Sequence, residues 1–438
     1  PPTAYATAYH NVLSTPTGNN PSIHPSEPNY IWAEAGSNLG VLNDNQPYGN
    51  GGTNQNTTNH LTTLLTNAGR TWKSYQEDVD LVPGAGGVNT PGANSLTSTV
   101  APSNQWTVPL TNFAGTSAAY TNPYNLAHQY DYAAKHNPML FFTDTNGGNN
   151  NTATNPLASH YAPLQQLAAD LANNTVADYN WVTPNQFNDM HTALAGSFTY
   201  NGVTYLNNGT QSGAEKVAQG DNFLKQILPV IMASQAYKNN GVIILWWDES
   251  EPDGQGNQND FNHTLPEIVI SPLVHPNVGG LPYASTVNYT HTADLRTMQE
   301  VFGVASAWLL DARDDVNGPD LADLFAPGAL AGPFTLTRGG FVRDRRTQRF
   351  VQQVTVQNTS AATIPGPLFM VLDNLSANAS LATASGISSS APVGRPYVSL
   401  TVPVSGIAPG ASTSVVLEFT DPSNAAIGYS VRLGNAIP

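Results

Sequence analysis

Two adjacent carboxylates, Asp248 and Glu249, directly follow the most continuous apolar run of the chain, residues 242–247. A run without polar alternation is typical of a strand that is covered on both faces. Neighbouring carboxylates at the end of such a strand repel each other unless a cation or a proton lies between them. We therefore expect a pair of metal ligands here, or an acid of raised pKa. The alternative is a calcium loop over residues 249–260, which the preceding strand disfavours because an EF-hand loop follows a helix.

A candidate nucleophile, Ser26, lies in the segment HPSEPNY at residues 24–30. The flanking prolines restrict the backbone, which suits a hydroxyl that is held toward a metal ion. A simple turn is the alternative interpretation of this segment.

Further candidates follow other predicted elements. Asp189 and His191 come after a predicted strand at residues 179–182. His291 directly precedes a predicted helix at residues 292–302. The N-terminal dipole of a helix favours a bound anion such as phosphate. Because ligands of open parallel sheets bind beyond the carboxyl ends of the strands, we expect these residues to line one pocket.

The remaining histidines differ in what their surroundings suggest. His136 precedes a predicted strand at residues 139–142 and could contribute a cationic or hydrogen-bond-donating group. His263 lies close to the acidic loop, and its role stays open. A structural role is expected for the others: His60, His128, His160 and His275.

Short apolar runs alternate with helical patterns through the first 330 residues or so, which predicts an α/β domain with a parallel sheet. Companion strands of residues 242–247 are expected at 139–142, 179–182 and 266–271. Helices are expected at 161–171, 214–238 and 292–302, where apolar residues recur at three- and four-residue steps. Glycine, asparagine, threonine and proline dominate residues 47–58 and 83–104, which predicts surface loops.

The pattern changes after residue 332 to short alternating strands separated by turns, for example at residues 350–356 and 414–419. About 100 residues of this kind fit an immunoglobulin-like β-sandwich. The sequence thus predicts two domains, residues 1–332 and 333–438. Five arginines lie between Arg338 and Arg349. We interpret them as an exposed hairpin face, with a contact to an anionic polymer as the alternative.

The composition excludes some classes of function. The chain contains no cysteine, so disulfides and thiolate metal sites are excluded. Its net charge is −15, which argues against nucleic-acid binding because that requires clustered cations. No run of about 18 apolar residues is present, so no transmembrane segment is expected. Only 10% of the residues are charged, which suits a secreted, periplasmic or cell-surface protein with a neutral-polar surface.

Six segments in order resemble the bacterial and fungal phosphoesterase family that contains acid phosphatases and phospholipases C, a branch of the alkaline phosphatase superfamily. They are HPSEPNY at 24–30, KSYQED at 73–78, KHNP at 135–138, PNQFNDMH at 184–191, WWDES at 246–250 and YTHTADLRTMQEVFG at 289–303. The resemblance extends from about Tyr5 to Phe325.

The resemblance implies a doubly wound, mostly parallel, alkaline-phosphatase-like sheet. It implies metal-dependent hydrolysis of a phosphate monoester, with Ser26 forming a phosphoserine intermediate and Asp248 and Glu249 binding a divalent metal. The other implied site residues are His191 and His291, one of which protonates the leaving group, and His24, His136 and Asp189, which contact the substrate. Oxygen-rich ligation favours calcium, magnesium or manganese, whereas histidines near Ser26 keep zinc open.

One family feature is missing from the sequence. Members of the family normally begin with a strand that ends in an acidic residue and an asparagine, both of them metal ligands. Residues 1–23 match only the segment that follows this strand. We therefore expect a separate N-terminal fragment or a neighbouring chain to supply it, or the chain to be inactive.

Two other functions stay open beside the acid phosphatase. The same core could serve a phospholipase C or another phosphodiesterase that acts on a phospholipid. The missing strand also leaves room for a non-catalytic extracellular structural protein derived from the family. Retention of Ser26, His191, His291, Asp248 and Glu249 argues against that last interpretation, because a scaffold does not need this set.

Overall fold

The computed structural model describes residues 1–11, 24–48, 51–79, 101–118, 120–207, 213–250, 263–275, 277, 279–304, 309, 319–325, 334–360, 363–364, 366–373, 375–388, 394–403 and 406–434. The chain divides into two compact units. The first unit comprises Pro1–Gly18, Ile243–Ser250 and Asp260–Pro438, and the second comprises Asn19–Val242 and Glu251–Asn259.

The described residues form a mixed α/β structure with several sheets, and strands dominate its later region. The helices are α1 (Glu27–Ala35), α2 (Leu61–Asn67), α3 (Leu164–Asn173), α4 (Gly213–Ala233), α5 (Gln235–Lys238) and α6 (His291–Phe302), with short 3-10 helices at Ser103–Gln105, Ala134–His136, Pro138–Phe141, Ala158–His160 and Leu321–Leu324. The strands are β1 (Thr3–Tyr9), β2 (Trp72–Gln76), β3 (Phe113–Thr116), β4 (Gln129–Tyr132), β5 (Tyr161–Pro163), β6 (Tyr179–Thr183), β7 (Gly196–Tyr200), β8 (Val203–Asn207), β9 (Ile243–Leu245), β10 (Ile268–Ile270), β11 (Tyr283–Tyr289), β12 (Phe334–Arg338), β13 (Val342–Arg343), β14 (Phe350–Asn358), β15 (Leu368–Asp373), β16 (Ser380–Leu381), β17 (Gly386–Ile387), β18 (Pro396–Leu400), β19 (Ser412–Thr420) and β20 (Ser430–Gly434).

A mixed sheet of the first unit has the strand order β11-β1-β10-β9. β1 is parallel to β11 and antiparallel to β10, and β10 is antiparallel to β9. β1, β9 and β11 therefore run in the same direction, so their carboxyl ends lie at one edge of the sheet. Alternation in TAYATAY buries Ala4 and Ala6, and a register shift between Ala6 and Ala8 brings Tyr9 into the same apolar core, which also contains Val269 and Tyr289.

A parallel sheet of the second unit has the order β5-β2-β6. The central strand buries Tyr75, which packs with Leu167 of α3 and with Phe223 and Ile227 of α4. The three helices predicted from periodicity are confirmed, although the first begins at Leu164, after β5. The last two correspond to α4 with α5 and to α6.

One predicted strand was wrong, and another was right only in part. Residues 139–142 form no strand, because the 3-10 helix Pro138–Phe141 takes their place and buries the same apolar side chains. The run at 242–247 shortens to β9, which is half-buried at the edge of its sheet and pairs antiparallel with β10. This strand is therefore neither parallel to its neighbour β10 nor fully covered on both faces. The expected loop at 83–104 and the calcium loop lie mostly outside the described residues.

The last hundred residues of the first unit contain two antiparallel sheets. One has the order β12-β14-β19-β16, with β13 also paired to β14, and the other has the order β17-β18-β15-β20. Both contribute to one apolar core, which includes Val354 and Leu417 from one sheet and Met370 and Val398 from the other. The strands predicted at 350–356 and 414–419 are confirmed as β14 and β19. Among the helices of the described ranges, none is long and apolar enough to cross a bilayer.

Candidate active site

Ser26 directly precedes α1 in the second unit. Its side chain is 3% exposed and forms no capping hydrogen bond to the helix. The first turn forms on the serine main chain, where the N–H of Asn29 donates to the Ser26 carbonyl oxygen at 2.9 Å. The N-terminal end of a helix favours negative charge, so Ser26 lies where an alkoxide or a phosphate group is stabilised. His24 is half-buried two residues earlier.

One turn further along the same helix, Tyr30 begins a row of aromatic and charged side chains that contact one another. The ring of Tyr30 stacks on the ring of His136, with centroids 5.0 Å apart. Nδ1 of His136 lies 3.2 Å from Oδ2 of Asp189, and the rings of His136 and His191 are 6.2 Å apart. His136 is buried, whereas His191 is exposed. The second unit thus brings together predicted site residues from two segments of the chain, His136 from one and Asp189 and His191 from the other, and Tyr30 connects them to the helix that follows Ser26.

The main chain at His136 is held by the end of β6. Its carbonyl oxygen accepts hydrogen bonds from Nε1 of Trp181 at 3.2 Å and from Oγ1 of Thr183 at 3.0 Å. The histidine therefore lies at the carboxyl end of the parallel strand β6, whereas the sequence placed it only before a strand at residues 139–142. The sequence alone could not reveal this, because residues 136 and 183 are far apart in the chain.

A buried network that the sequence did not assign holds the loop that carries Asp189 and His191. Glu77 accepts hydrogen bonds from the main-chain N–H of Asn185 at 2.8 Å, from Nδ2 of Asn122 at 2.6 Å and from Nδ2 of Asn188 at 2.8 Å. Asp78 accepts one from Nδ2 of Asn185 at 2.8 Å. Burial raises the pKa of Glu77 to about 8 and that of Asp78 to about 6. The only available signal was that all of these residues except Asn122 belong to two of the six matching segments.

The first unit contains the acidic loop and His291. Nε2 of His291 lies 2.6 Å from the carbonyl oxygen of Asp248. Nδ1 of the same ring lies 2.8 Å from the hydroxyl of Tyr9. The side chain of His291 is fully buried, and burial lowers its pKa to about 4. Both ring nitrogens are thus engaged in hydrogen bonds inside the unit.

A second contact holds the same loop. Nδ2 of Asn11 donates to Oγ of Ser250 at 2.8 Å, and the main-chain N–H of Ser250 donates to Oδ1 of Asn11 at 3.0 Å. Asn11 follows the end of β1, and Ser250 directly follows Glu249. The loop therefore rests on the carboxyl ends of β1 and β11, the edge at which ligands of such sheets bind.

The donor set for a metal ion is incomplete within the described ranges. Asp248 and Glu249 supply adjacent carboxylates, which suit a hard cation such as calcium, magnesium or manganese. No group of three or more histidine, aspartate or glutamate side chains in that part of the chain is arranged to hold a metal ion. The two carboxylates fit part of a coordination sphere, which for these ions takes six or more oxygen ligands.

The chain belongs to the phosphoesterase family, whose model matches residues 20–305. The resemblance found in the six segments is therefore confirmed. A curated acid phosphatase from Aspergillus fumigatus is 30% identical to the chain over 170 residues. This alignment covers 38% of the chain and 28% of the fungal protein. Membership of the family supports a phosphoric ester hydrolase in general.

Proposed function

We propose that the protein hydrolyses phosphate monoesters in the manner of an acid phosphatase, with Ser26 as the nucleophile. The observation that carries this proposal is the juxtaposition in the second unit. Ser26 begins the helix whose Tyr30 stacks on His136, and His136 in turn pairs with Asp189. A serine at the N-terminus of a helix that contacts a histidine–carboxylate pair suits phosphoryl transfer, because the helix end stabilises negative charge and the histidine can transfer a proton.

The proposed reaction has two steps. Oγ of Ser26 loses its proton to solvent and forms a bond to phosphorus while the bond from phosphorus to the leaving oxygen breaks, and a histidine gives that oxygen a proton. In the second step the same histidine takes a proton from water, which attacks the phosphoserine. The bond from phosphorus to Oγ breaks, phosphate leaves, and Oγ takes a proton from solvent. His191 is the better proton donor of the two predicted histidines, because its ring is exposed whereas both ring nitrogens of His291 are engaged. His24, His136 and Asp189 bind the phosphate group in this proposal.

The proposal includes a divalent cation, bound by Asp248 and Glu249. When bound, a divalent cation supplies positive charge that stabilises anionic oxygens during phosphoester hydrolysis. The assays below test which of calcium, magnesium, manganese and zinc the protein uses.

The finer architecture belongs to the same proposal. We assign residues 1–332 to an alkaline-phosphatase-like, doubly wound catalytic domain and residues 333–438 to an immunoglobulin-like accessory sandwich. The parallel strands of the second unit support the first assignment, and the two antiparallel sheets with a common core support the second. We also propose a secreted, periplasmic or cell-surface location, which the low charged fraction supports.

The experiment is hydrolysis of a chromogenic phosphomonoester between pH 4 and 8, with and without chelator. Ser26→Ala is compared with Ser37→Ala, a matched control because Ser37 follows the other end of α1. We expect chelator-sensitive turnover that only the first variant loses, and a phosphorylated Ser26 peptide after an acid quench. Turnover that survives in Ser26→Ala contradicts the proposal.

The same samples test the alternative activity. Parallel assays use a phosphate bis-ester and phosphatidylcholine, with calcium, magnesium, manganese or zinc added after dialysis. Faster hydrolysis of either diester than of the monoester would favour a phosphodiesterase or phospholipase C. Absence of turnover on every substrate would favour the non-catalytic structural protein.

A further inference from the structure

A chain of four groups in the first unit leads from a partly buried acid to the main chain of the acidic loop. Oδ2 of Asp294 lies 2.5 Å from the hydroxyl of Tyr9. The same hydroxyl lies 2.8 Å from Nδ1 of His291, whose Nε2 lies 2.6 Å from the carbonyl oxygen of Asp248. Tyr9 and His291 are fully buried. The predicted site residues account for His291 and Asp248 but give no role to Tyr9 or Asp294.

Geometry fixes the direction of two of these contacts. A carbonyl oxygen only accepts, so Nε2 of His291 must carry a proton and donate it to Asp248. The hydroxyl of Tyr9 donates to Oδ2 of Asp294, and its oxygen lies 2.8 Å from Nδ1 of His291. The hydroxyl is therefore held between the histidine ring and the acid.

The phenol ring is itself fixed from a third direction. Nε1 of Trp246 donates to the Tyr9 hydroxyl at 3.0 Å, and the rings of Trp246 and His291 lie 4.7 Å apart. Trp246 also follows β9 and precedes Asp248 by two residues. The hydroxyl of Tyr9 thus connects all three same-direction strands of the sheet, and the histidine ring has little freedom to turn.

We propose that Tyr9 and Asp294 are positioning residues that act through His291 to fix the main chain at Asp248, and with it the carboxylates of Asp248 and Glu249. Asn11 fixes the same loop at Ser250, two residues further on. This inference rests on the proposed function only in taking Asp248 and Glu249 as the ligands of the cation. It assigns His291 to positioning rather than to proton donation.

The first test is the protonation pattern of the His291 ring, measured by long-range proton–nitrogen NMR on the whole chain labelled with ¹⁵N histidine. The His291 signal is identified by its loss in His291→Gln. We expect a protonated Nε2 and, in Tyr9→Phe, a changed Nδ1 shift. The matched control is Tyr5→Phe, because Tyr5 lies on the same strand but is 38% exposed. An unprotonated Nε2, or no change in Tyr9→Phe, overturns the proposal.

The second test is the binding of Mn²⁺, measured by calorimetry without substrate. We expect Tyr9→Phe and Asp294→Leu to weaken binding about 10- to 100-fold, the usual effect of losing a group that orients a ligand. Asp294→Asn should recover part of this loss, since it keeps a polar contact to Tyr9. Tyr5→Phe should bind as the wild type does. Unchanged binding in Tyr9→Phe and Asp294→Leu overturns the proposal.

The two proposals fail differently. Mn²⁺ binding that Asp248→Asn abolishes and that Tyr9→Phe weakens supports positioning even if the wild type hydrolyses no phosphomonoester, and only the proposed function then falls. A wild type that binds no Mn²⁺ overturns positioning whatever its turnover.

In an active enzyme, we expect Tyr9→Phe to raise the Mn²⁺ concentration for half-maximal rate and to leave the substrate KM at saturating Mn²⁺ unchanged. A change in that KM alone contradicts positioning.

Discussion

Nδ1 of His136 lies 3.2 Å from Oδ2 of Asp189, although the two residues come from segments more than fifty positions apart. Each segment alone is compatible with an ordinary loop. Their contact joins the helix that begins at Ser26 to the loop that carries His191, through the stacking of Tyr30 on His136. This relationship is the strongest structural support for a phosphate-binding site in the second unit.

The first prediction concerns this pair. Asp189→Asn removes the carboxylate that orients His136, and we expect kcat for a phosphomonoester to fall about 100-fold. Asp221→Asn is the matched control, because Asp221 is exposed on α4 and accepts a hydrogen bond from Tyr200. Steady-state kinetics at pH 5 and 7 provide the measurement. Equal kcat values for the two variants would remove Asp189 from the site.

The second prediction concerns the network beneath the same loop. Asn185→Ala removes the side-chain donor to Asp78 and the acceptor for the main-chain N–H of Phe187. We expect the free energy of unfolding to fall by about 2 kcal/mol, because a buried carboxylate then lacks a donor. Asn45→Ala, in an exposed turn, should cost less than about 0.5 kcal/mol.

The activity of the same variant separates two roles of the loop. If the network holds Asp189 and His191 in place, the folded Asn185→Ala protein should also lose kcat at 15 °C, well below its unfolding transition. Urea unfolding and kinetics on one preparation give both values. Lower stability with unchanged kcat would show that the network serves stability alone.

Sequence reasoning predicted the parts of the fold that depend on local pattern. The periodicity of residues 214–238 identified α4 and α5, and alternation identified β14 and β19. It failed at residues 139–142, because a short apolar run fits a buried 3-10 helix as well as a strand. It also assigned residues 242–247 to the wrong sheet environment, since strand direction depends on partners far along the chain.

The site shows the same division between local and long-range information. The types of Ser26, Asp189 and His291 made them candidates, but their partners could not be predicted. Tyr9 and Asp294 are inconspicuous in the sequence, and only the pairing of β1 with β11 brings Tyr9 close to His291. Likewise Asn185 becomes informative once β2 and β6 are adjacent and its side chain contacts Asp78.

The third prediction concerns the acid next to the proposed nucleophile. Glu27 is fully buried, and burial raises its pKa to about 9. Between about pH 4.5 and 9 the folded state therefore holds a proton that the unfolded state releases, so this group lowers stability as pH rises, by about 1.4 kcal/mol per pH unit. Glu27→Gln lacks this titration and should match the wild type at pH 5 but exceed its stability at pH 8.

Urea unfolding at pH 5, 6.5 and 8 measures this difference. The control is Glu418→Gln, which removes a surface ion pair with Arg349 and should change stability by less than about 1 kcal/mol. A stability difference between Glu27→Gln and the wild type that stays constant across these pH values would contradict a buried, neutral Glu27.

The fourth prediction concerns two histidines whose environments shift their pKa in opposite directions. Burial alone lowers the pKa of His60, but its hydrogen bonds to Asp144 and Glu34, both at 3.0 Å, outweigh burial and raise the pKa above its ordinary value. Burial lowers the pKa of His160, which stacks on Trp72 at a centroid distance of 4.2 Å. Both residues were expected to be structural, and their environments agree with that expectation.

The sign of the pH dependence follows from these directions. A raised folded-state pKa stabilises most below the unfolded value of about 6.5, and this contribution is lost as pH rises through the folded-state pKa. His60→Gln should therefore cost about 3–5 kcal/mol at pH 6, where it leaves the buried carboxylate of Glu34 without its cation, and less at pH 9. His160→Gln should show the reverse, because the wild type loses stability as pH falls below about 6.5, when only its unfolded state binds the proton. Unfolding curves of both variants at pH 5.5, 7 and 9 measure the two trends, and parallel trends would show that His60 is neutral in the folded protein.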